Sequence, residues 1–257
     1  SLVVSEMCIR DSLTTVLSLI QDKMFFILVY LKTNPLQELH AIQFEMTQPQ
    51  ANRWIHLLSE ILRRTLKTLG ELPDRNSKRL IHILQGCEEV LLDGTERPIQ
   101  RPLDEDWQSA CYSGKKTHSI KNNLLCTNNL RIVWLSSTYK GHVHDKKICD
   151  EEPLLLPKGI RFWQDTGFIG HKPDGVEICM PKKKPKGKEL TCVEKQENKR
   201  ISGVRIKVEH AIGGMKKCRI VKERFRCHKF GFEDMVILIA CGLHNFRITH
   251  KMSHITI

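Results

Sequence analysis

The hydrophobic pattern is purely helical up to residue 70 and mixed thereafter, and that change limits what the chain can fold into. From Leu13 to Gly70 apolar residues recur every three or four positions, the spacing of a single buried helix face. After a polar connector at 71–78, ELPDRNSK, they come instead in short runs: EEVLLDGTERPI (88–99), KTHSIKNNLLCT (116–127), LRIVWLSST (130–138) and GIRFWQDTGF (159–168). Such runs are strand signals, and Asn128 and Asn129 supply a hairpin turn between two of them. HDKKICDEE (144–152), closed by Pro153, and NKRISGVRIKVEHAIGGMKKCR (198–219) have helical patterns. The expectation is an all-α domain with its connector at 13–78, then an α/β domain with a mixed sheet at 79–257. SLVVSEMCIRDS, residues 1–12, lacks an initiator Met at position 1 and the basic start of a signal peptide; it resembles translated adapter sequence and is expected to be a non-native, artefactual lead.

Within the first segment, LSLIQDKMFFILVYLKT (17–33) should stop at Asn34 and Pro35, with Asn34 placed to cap LQELHAIQF (36–44). Thr47 should cap QPQANRWIHLLSEILRRTLKTLG (48–70), which has Pro49 in its first turn and Gly70 as its stop. Short helix, tight turn and longer helix is helix-turn-helix geometry, which would bring Gln48, Gln50, Asn52 and Arg53 to base edges or phosphates of DNA. An ordinary helical bundle with a polar face has the same pattern, and these residues alone do not separate the two.

Charge favours a polyanionic partner. Lys and Arg number 41 against 29 Asp and Glu, a net +12, and nucleic acid is the commonest partner of such a chain. Between Pro181 and Lys229 there are 17 Lys and Arg against five Glu, so this segment carries the whole excess. Its PKKKPKGK (181–188), with Lys182, Lys183 and Lys184, is expected to be a loop that tracks the DNA backbone, although a solvated basic surface also accounts for that run taken alone. The ten cysteines include no CxxC pair; Cys87, Cys111, Cys126, Cys149, Cys179 and Cys192 read as small buried hydrophobes of a reducing compartment, and Cys241 of the group Cys227, His228, Cys241 and His244 lies in an apolar run. No stretch reads as membrane-spanning.

The chemistry is carried by acids. Cleaving or transferring a phosphodiester needs an activated oxygen and neutralisation of charge on phosphorus oxygens, which two divalent ions about 4 Å apart supply. Mg²⁺ and Mn²⁺ take hard oxygen ligands, so Asp and Glu on rigid elements are the candidates. Asp93 and Asp165 are expected at strand ends beside glycines. In the 198–219 helix Ile201, Val204, Val208, Ala211 and Met215 form the core stripe, while Ser202, Arg205, Glu209 and Lys216 form a second stripe at its boundary; a bend is expected at Gly213 and Gly214. Each acid also has an ordinary structural reading: Asp93 as the start of a turn, Asp165 as the cap of the turn before Gly167, Glu209 as a surface partner of Arg205. Asp145 rivals Asp165, but it stands where Asp caps the helix 146–152; His142 and His144 read as polar neighbours rather than general bases.

LLDGTERPI (91–99), YSGKKTHSIKN (112–122), GHVHDKKICDE (141–151), FWQDTGFIGH (162–171) and RIKVEHAIGGMKKCRI (205–220) resemble, in order, the motifs of DDE transposases, in the bacterial insertion-sequence group related to PIF/Harbinger elements. The resemblance runs from residue 13 onward. It implies a ribonuclease-H-like catalytic core at 79–257, with Asp93, Asp165 and Glu209 as both catalytic and metal-holding acids, and Arg205 and Lys216 holding DNA phosphates or ordering Glu209. Ser202 stands where related elements often have Tyr, a departure that removes any role of that Tyr in holding DNA. The implied activity is metal-dependent cleavage at mobile-element ends and transfer of the freed 3′-hydroxyl into target DNA, by a homodimer or higher assembly on terminal inverted repeats. The implied setting is the cytoplasm, at the nucleoid (the nucleus in a eukaryote). A domesticated or decayed transposase acting only as a DNA-binding protein is the alternative, against which all three acids stand intact.

Overall fold

The computed structural model describes residues 17–253 except 115, 116 and 188, so the lead expected at 1–12 lies outside the described residues. The chain forms two compact units, one of residues up to Leu72 with Met215–Phe246, the other of Pro73–Gly214 with the chain from Arg247.

In the first unit three helices follow in succession: α1 (Ile20–Thr33), α2 (Gln37–Gln43) and α3 (Gln48–Thr68). Helix α1 ends because Asn34 adopts the left-handed conformation, φ 48°, and its N–H donates to the Tyr30 carbonyl at 2.9 Å. Asn34 therefore closes α1 rather than capping α2, whose N-cap is Leu36. Thr47 does cap α3, in a reciprocal box with Gln50, whose Oε1 accepts from the Thr47 N–H at 2.9 Å. Ala51, Ile55, Leu58, Leu62 and Leu66 form the buried stripe of α3. Gln37 fastens the two helix starts together, its Oε1 accepting from Gln48 Nε2 at 2.9 Å and Asn52 Nδ2 at 3.0 Å.

The second unit is built on a mixed sheet of β1 (Glu89–Pro98), β2 (Ser119–Thr127), β3 (Ile132–Leu135), β4 (Tyr139–Lys140), β5 (Arg161–Trp163) and β6 (Glu177–Cys179). Strand order is β3-β2-β1-β5-β6, with β4 on β2. β1 pairs antiparallel with β2 and parallel with β5, and β5 pairs parallel with β6. This is the α/β, ribonuclease-H-like arrangement that the sequence implies. Leu80, Leu84, Val90, Leu92, Leu125, Trp134, Phe162 and Phe168 form its core. Helices α4 (Leu80–Ile83), α5 (Glu105–Cys111), α6 (Asp145–Glu151) and nearly all of α7 (Cys192–Met215) belong to this unit, and most of α8 (Phe232–Ser253) to the first. No helix among the described residues is long and apolar enough to cross a membrane.

Three local expectations change, at Asp93, Asp145 and Gly213–Gly214, while Asp165 caps the turn before Gly167 as expected. β1 does not turn at Asp93 and Gly94: it stays paired with β2 without a break from Val90–Thr127 to Pro98–Ser119, and that ladder outweighs the turn tendency of Asp-Gly. Asp93 thus lies inside a strand. Residue 165 follows a strand of only three residues and caps a 3₁₀ turn, Thr166–Phe168. His144, not Asp145, is the N-cap of α6, which frees the Asp145 side chain for another partner. Helix α7 runs on through Gly213 and Gly214 and ends at Met215, so the glycines mark its stop and not a mid-helix bend.

His40 lies fully buried in the first unit, its ring 4.3 Å from Phe26, 5.4 Å from Tyr30 and 4.8 Å from Phe44. Burial pulls its pKa down from 6.5 to about 4. Because the folded value is depressed, the neutral ring's contribution is complete above pH 6.5 and is lost as pH falls through 4. His40→Phe should therefore shrink the fall in melting temperature between pH 7 and pH 4, read by circular dichroism; an unchanged acid sensitivity would show that His40 is not its source.

Candidate active site

Strand alternation sorts the side chains around Asp93 onto two faces of the sheet. Asp93 and Leu91 point to one face, together with Trp163, which stands opposite Leu91 in the parallel ladder. Helix α7 covers this face: the Arg200 guanidinium lies 5.4 Å from the Trp163 ring centre, and Lys207 Nζ is 3.8 Å from Glu89 Oε1. Gly94 and Glu96 point to the other face, opposite Asn123 and Lys121 of β2. Helix α6 covers that one, through Asn123 Nδ2 donating to the Asp145 carbonyl at 2.8 Å and to Cys149 Sγ at 3.2 Å.

On the α7 face Arg205 joins two acids. Its Nη1 is 3.2 Å from Asp165 Oδ1 and its Nη2 is 3.8 Å from Asp93 Oδ2. Both carboxylates also accept from the next backbone N–H, Asp93 Oδ1 from Gly94 at 2.8 Å and Asp165 Oδ1 from Thr166 at 2.7 Å. These local bonds fix each carboxylate's rotamer. Burial pushes the Asp93 carboxyl up to about 6; the Gly94 N–H and Arg205 oppose that rise, and the charges of Asp165 and Asp145 add to it. Half-buried and close to other acids, Asp93 is desolvated more than the Gly94 N–H and Arg205 offset.

Of the residues singled out from sequence, the structure brings together Asp93, Asp165 and Arg205. Glu209 lies exposed on α7, one turn beyond Arg205, and among the described residues no three His, Cys, Asp or Glu side chains gather where they could hold a metal ion. The basic loop carries less free charge than its composition suggests. Lys182 pairs with Glu194 at 3.2 Å and exchanges two hydrogen bonds with Asn198, which ties the loop to α7, and Lys184 pairs with Glu189. Lys183 is exposed, and Lys216 is half-buried beyond the end of α7 in the first unit. In the helix-turn-helix Gln50 is occupied as the capping partner of Thr47, Gln48 and Asn52 are engaged by Gln37, and Arg53 is exposed. Cys192 is exposed at the start of α7, contrary to its reading as a buried hydrophobe, while Cys111, Cys126, Cys149, Cys179 and Cys241 are buried.

Sequence reasoning passed over Lys121 and Asn123. Lys121 retains 9% of its side-chain exposure and contacts Asp145 Oδ1 at 3.1 Å and Glu96 Oε1 at 3.7 Å. The available signal was the run Lys121-Asn122-Asn123 inside an otherwise apolar strand, since polar residues in a buried strand demand partners. Arg97, also buried, finds its partners in the same run and beside it: Asn122 Oδ1 at 2.9 Å and Thr138 Oγ1 at 3.2 Å.

The model of the DDE superfamily endonucleases matches residues 92–245, and that of the helix-turn-helix of DDE superfamily endonucleases matches 16–68. The chain belongs to the DDE superfamily endonucleases, enzymes that use divalent metal ions. A relative from Microchaete diplosiphon, described as a probable transposase for insertion sequence element IS702, is 25% identical over 236 residues, spanning 91% of this chain and 82% of its own. No solved structure matches the chain.

The raised Asp93 value has a measurable consequence for stability. The folded protein binds this proton more tightly than the unfolded chain, so ionisation costs stability as pH rises from 3.8 towards 6, and the loss is complete above that. Without added metal, Asp93→Asn should raise the melting temperature at pH 8, and the gain should fade by pH 4. A variant that melts lower than the wild type at pH 8 would contradict this account of the site.

Proposed function

We propose that this protein is the transposase of an insertion-sequence element: it cleaves DNA at the element's terminal inverted repeats and joins the freed 3′-hydroxyl to target DNA. The convergence of Asp93 and Asp165 beneath Arg205, on one face of a ribonuclease-H-like sheet, carries this reading. The IS702 relative, matched over most of both chains, supports an insertion-sequence element as the DNA acted upon.

The donor set fits a hard divalent cation, Mg²⁺ or Mn²⁺. Asp93 and Asp165 offer carboxylate oxygens alone, and Asp93 is under-compensated where it stands. Asp93, Asp165 and Glu209 would hold two ions, which supply activation of the attacking oxygen and neutralisation of the phosphate charge. Before that, Arg205 supplies the positive charge between the two aspartates and restrains their mutual repulsion. Glu209 is on the same helix, one turn beyond Arg205, and open to solvent.

The division of labour follows the two chemistries. Residues 13–78 recognise the element ends, with Gln48, Asn52 and Arg53 presented at the start of α3 and Gln50 holding that start in shape. Residues 79–257 perform the chemistry, with Lys182, Lys183 and Lys184 along the DNA backbone and Lys216 as a further phosphate contact. Such binding should weaken steeply with salt. Transposition joins two ends, so a homodimer or larger assembly forms on DNA, in the cytoplasm at the nucleoid.

Alanine at Asp93, Asp165 or Glu209, one at a time, should lower cleavage of labelled element ends in Mg²⁺ or Mn²⁺ by about a thousandfold or more, the scale on which losing an essential catalytic group is felt. Binding to the same ends, read by gel shift, should stay within about threefold, because these acids make no favourable contact with phosphate. Undiminished cleavage by any one variant removes that acid from the site.

A further inference from the structure

Asp145 reaches the acid pair from the opposite side of the sheet. A Cβ at Gly94 would lie 3.2 Å from Asp145 Cγ and 3.3 Å from its Oδ2, and one at Gly167 would lie 3.8 Å from the same Oδ2. The carboxylate therefore fills the space that a side chain at residue 94 would take, between the neighbour of Asp93 and a glycine two residues past Asp165. Lys121, nearly buried, holds it there at 3.1 Å. Asn123, wholly buried, anchors the start of α6 through the Asp145 carbonyl, and its own Oδ1 has no partner among the described residues and lies 3.3 Å from the Cβ position of Gly94. Burying a lysine costs stability unless it is paired, so this pair must be made where it stands.

We infer that Lys121 and Asp145 are positioning residues for the Asp93–Asp165 pair: Lys121 pins the Asp145 carboxylate in the gap at Gly94 and Gly167, and together they set the spacing of the two acids and the charge these offer a cation. The inference rests on the reading of Asp93 and Asp165 as the metal-holding acids. Asp145 is not one of those acids, because its carboxylate is spent on Lys121 while Arg205 bridges the other two from the far face. The pair is close to neutral as built. Removing the Lys121 charge leaves Asp145 uncompensated, removing the Asp145 charge leaves Lys121 with Glu96 alone, and the two removals act with opposite sign on a cation.

The test is Mn²⁺ binding to the full chain without DNA, followed by electron paramagnetic resonance of free Mn²⁺, with melting curves recorded on the same samples. Asp145→Asn leaves Lys121 with Glu96 alone and makes the surroundings of the site one charge more positive, so it should weaken binding about tenfold, the lower end of what groups supporting metal ligands contribute. Lys121→Met leaves the Asp145 charge and should tighten binding, whereas Lys121→Arg should stay near wild type. A purely structural pair would move Asn and Met variants in the same direction, and that result, or no change in either, overturns the proposal. Should Lys121→Met fail to melt cooperatively, Gly94→Ala decides: it keeps both charges and displaces the carboxylate, so weaker Mn²⁺ binding supports the proposal and wild-type affinity overturns it. A wild-type chain that binds no Mn²⁺ instead overturns the reading of Asp93 and Asp165 themselves, and this inference falls with it.

Discussion

Strand β1 is paired along both edges, and the site depends on that. Its antiparallel ladder with β2 keeps the chain extended through Asp-Gly, and its short parallel ladder with β5 brings residue 165 alongside residue 93. Period-two alternation then divides the neighbours between faces: Asp93 towards α7, Gly94 towards α6. A turn at residues 93–94 would have released both constraints. The glycine matters here for the space it leaves and not for backbone freedom, since an acid from α6 occupies the place of its side chain.

The electrostatics follow from that division. Three carboxylates, of Asp93, Asp165 and Asp145, act on one another in a partly desolvated region, an arrangement that repulsion disfavours unless cations intervene. One cation is placed on each face: Arg205 across Asp93 and Asp165, Lys121 against Asp145. Arg205 and the Gly94 N–H do not cancel the desolvation that raises the Asp93 carboxyl. Stability given up at such a place is common where function requires an ill-matched group.

In the helical unit the corresponding device is a hydrogen-bonded lock. Gln37 at the start of α2 accepts from Gln48 and Asn52 at the start of α3, and Thr47 and Gln50 cap α3 reciprocally. Residue types that read as base-reading side chains therefore also fix the approach of one helix start to the other. Stiffening these ends reduces the ordering that DNA binding would otherwise require.

The α/β class was legible in the sequence, because hydrophobic period is a property of neighbouring residues, and the helix-turn-helix became so only through the family resemblance that the motifs carry. The capping of α3 by Thr47 was legible because it too is set by neighbouring residues, as was the core stripe of α7 at Ile201, Val208, Ala211 and Met215. Whether Asp-Gly makes a turn or continues a strand was not, since the answer comes from β2, some thirty residues away in sequence. Nor was the fate of the lysines at 182 and 184, which their own neighbourhood neutralises through Glu194 and Glu189. Sequence alone determined which chemical groups this protein has and in what order they occur. Only the tertiary structure decided which of them meet: Arg205 with two aspartates, and Lys121 with Asp145 behind Gly94. Such meetings depend on strand register and sheet face, which long-range pairing sets and no local pattern encodes.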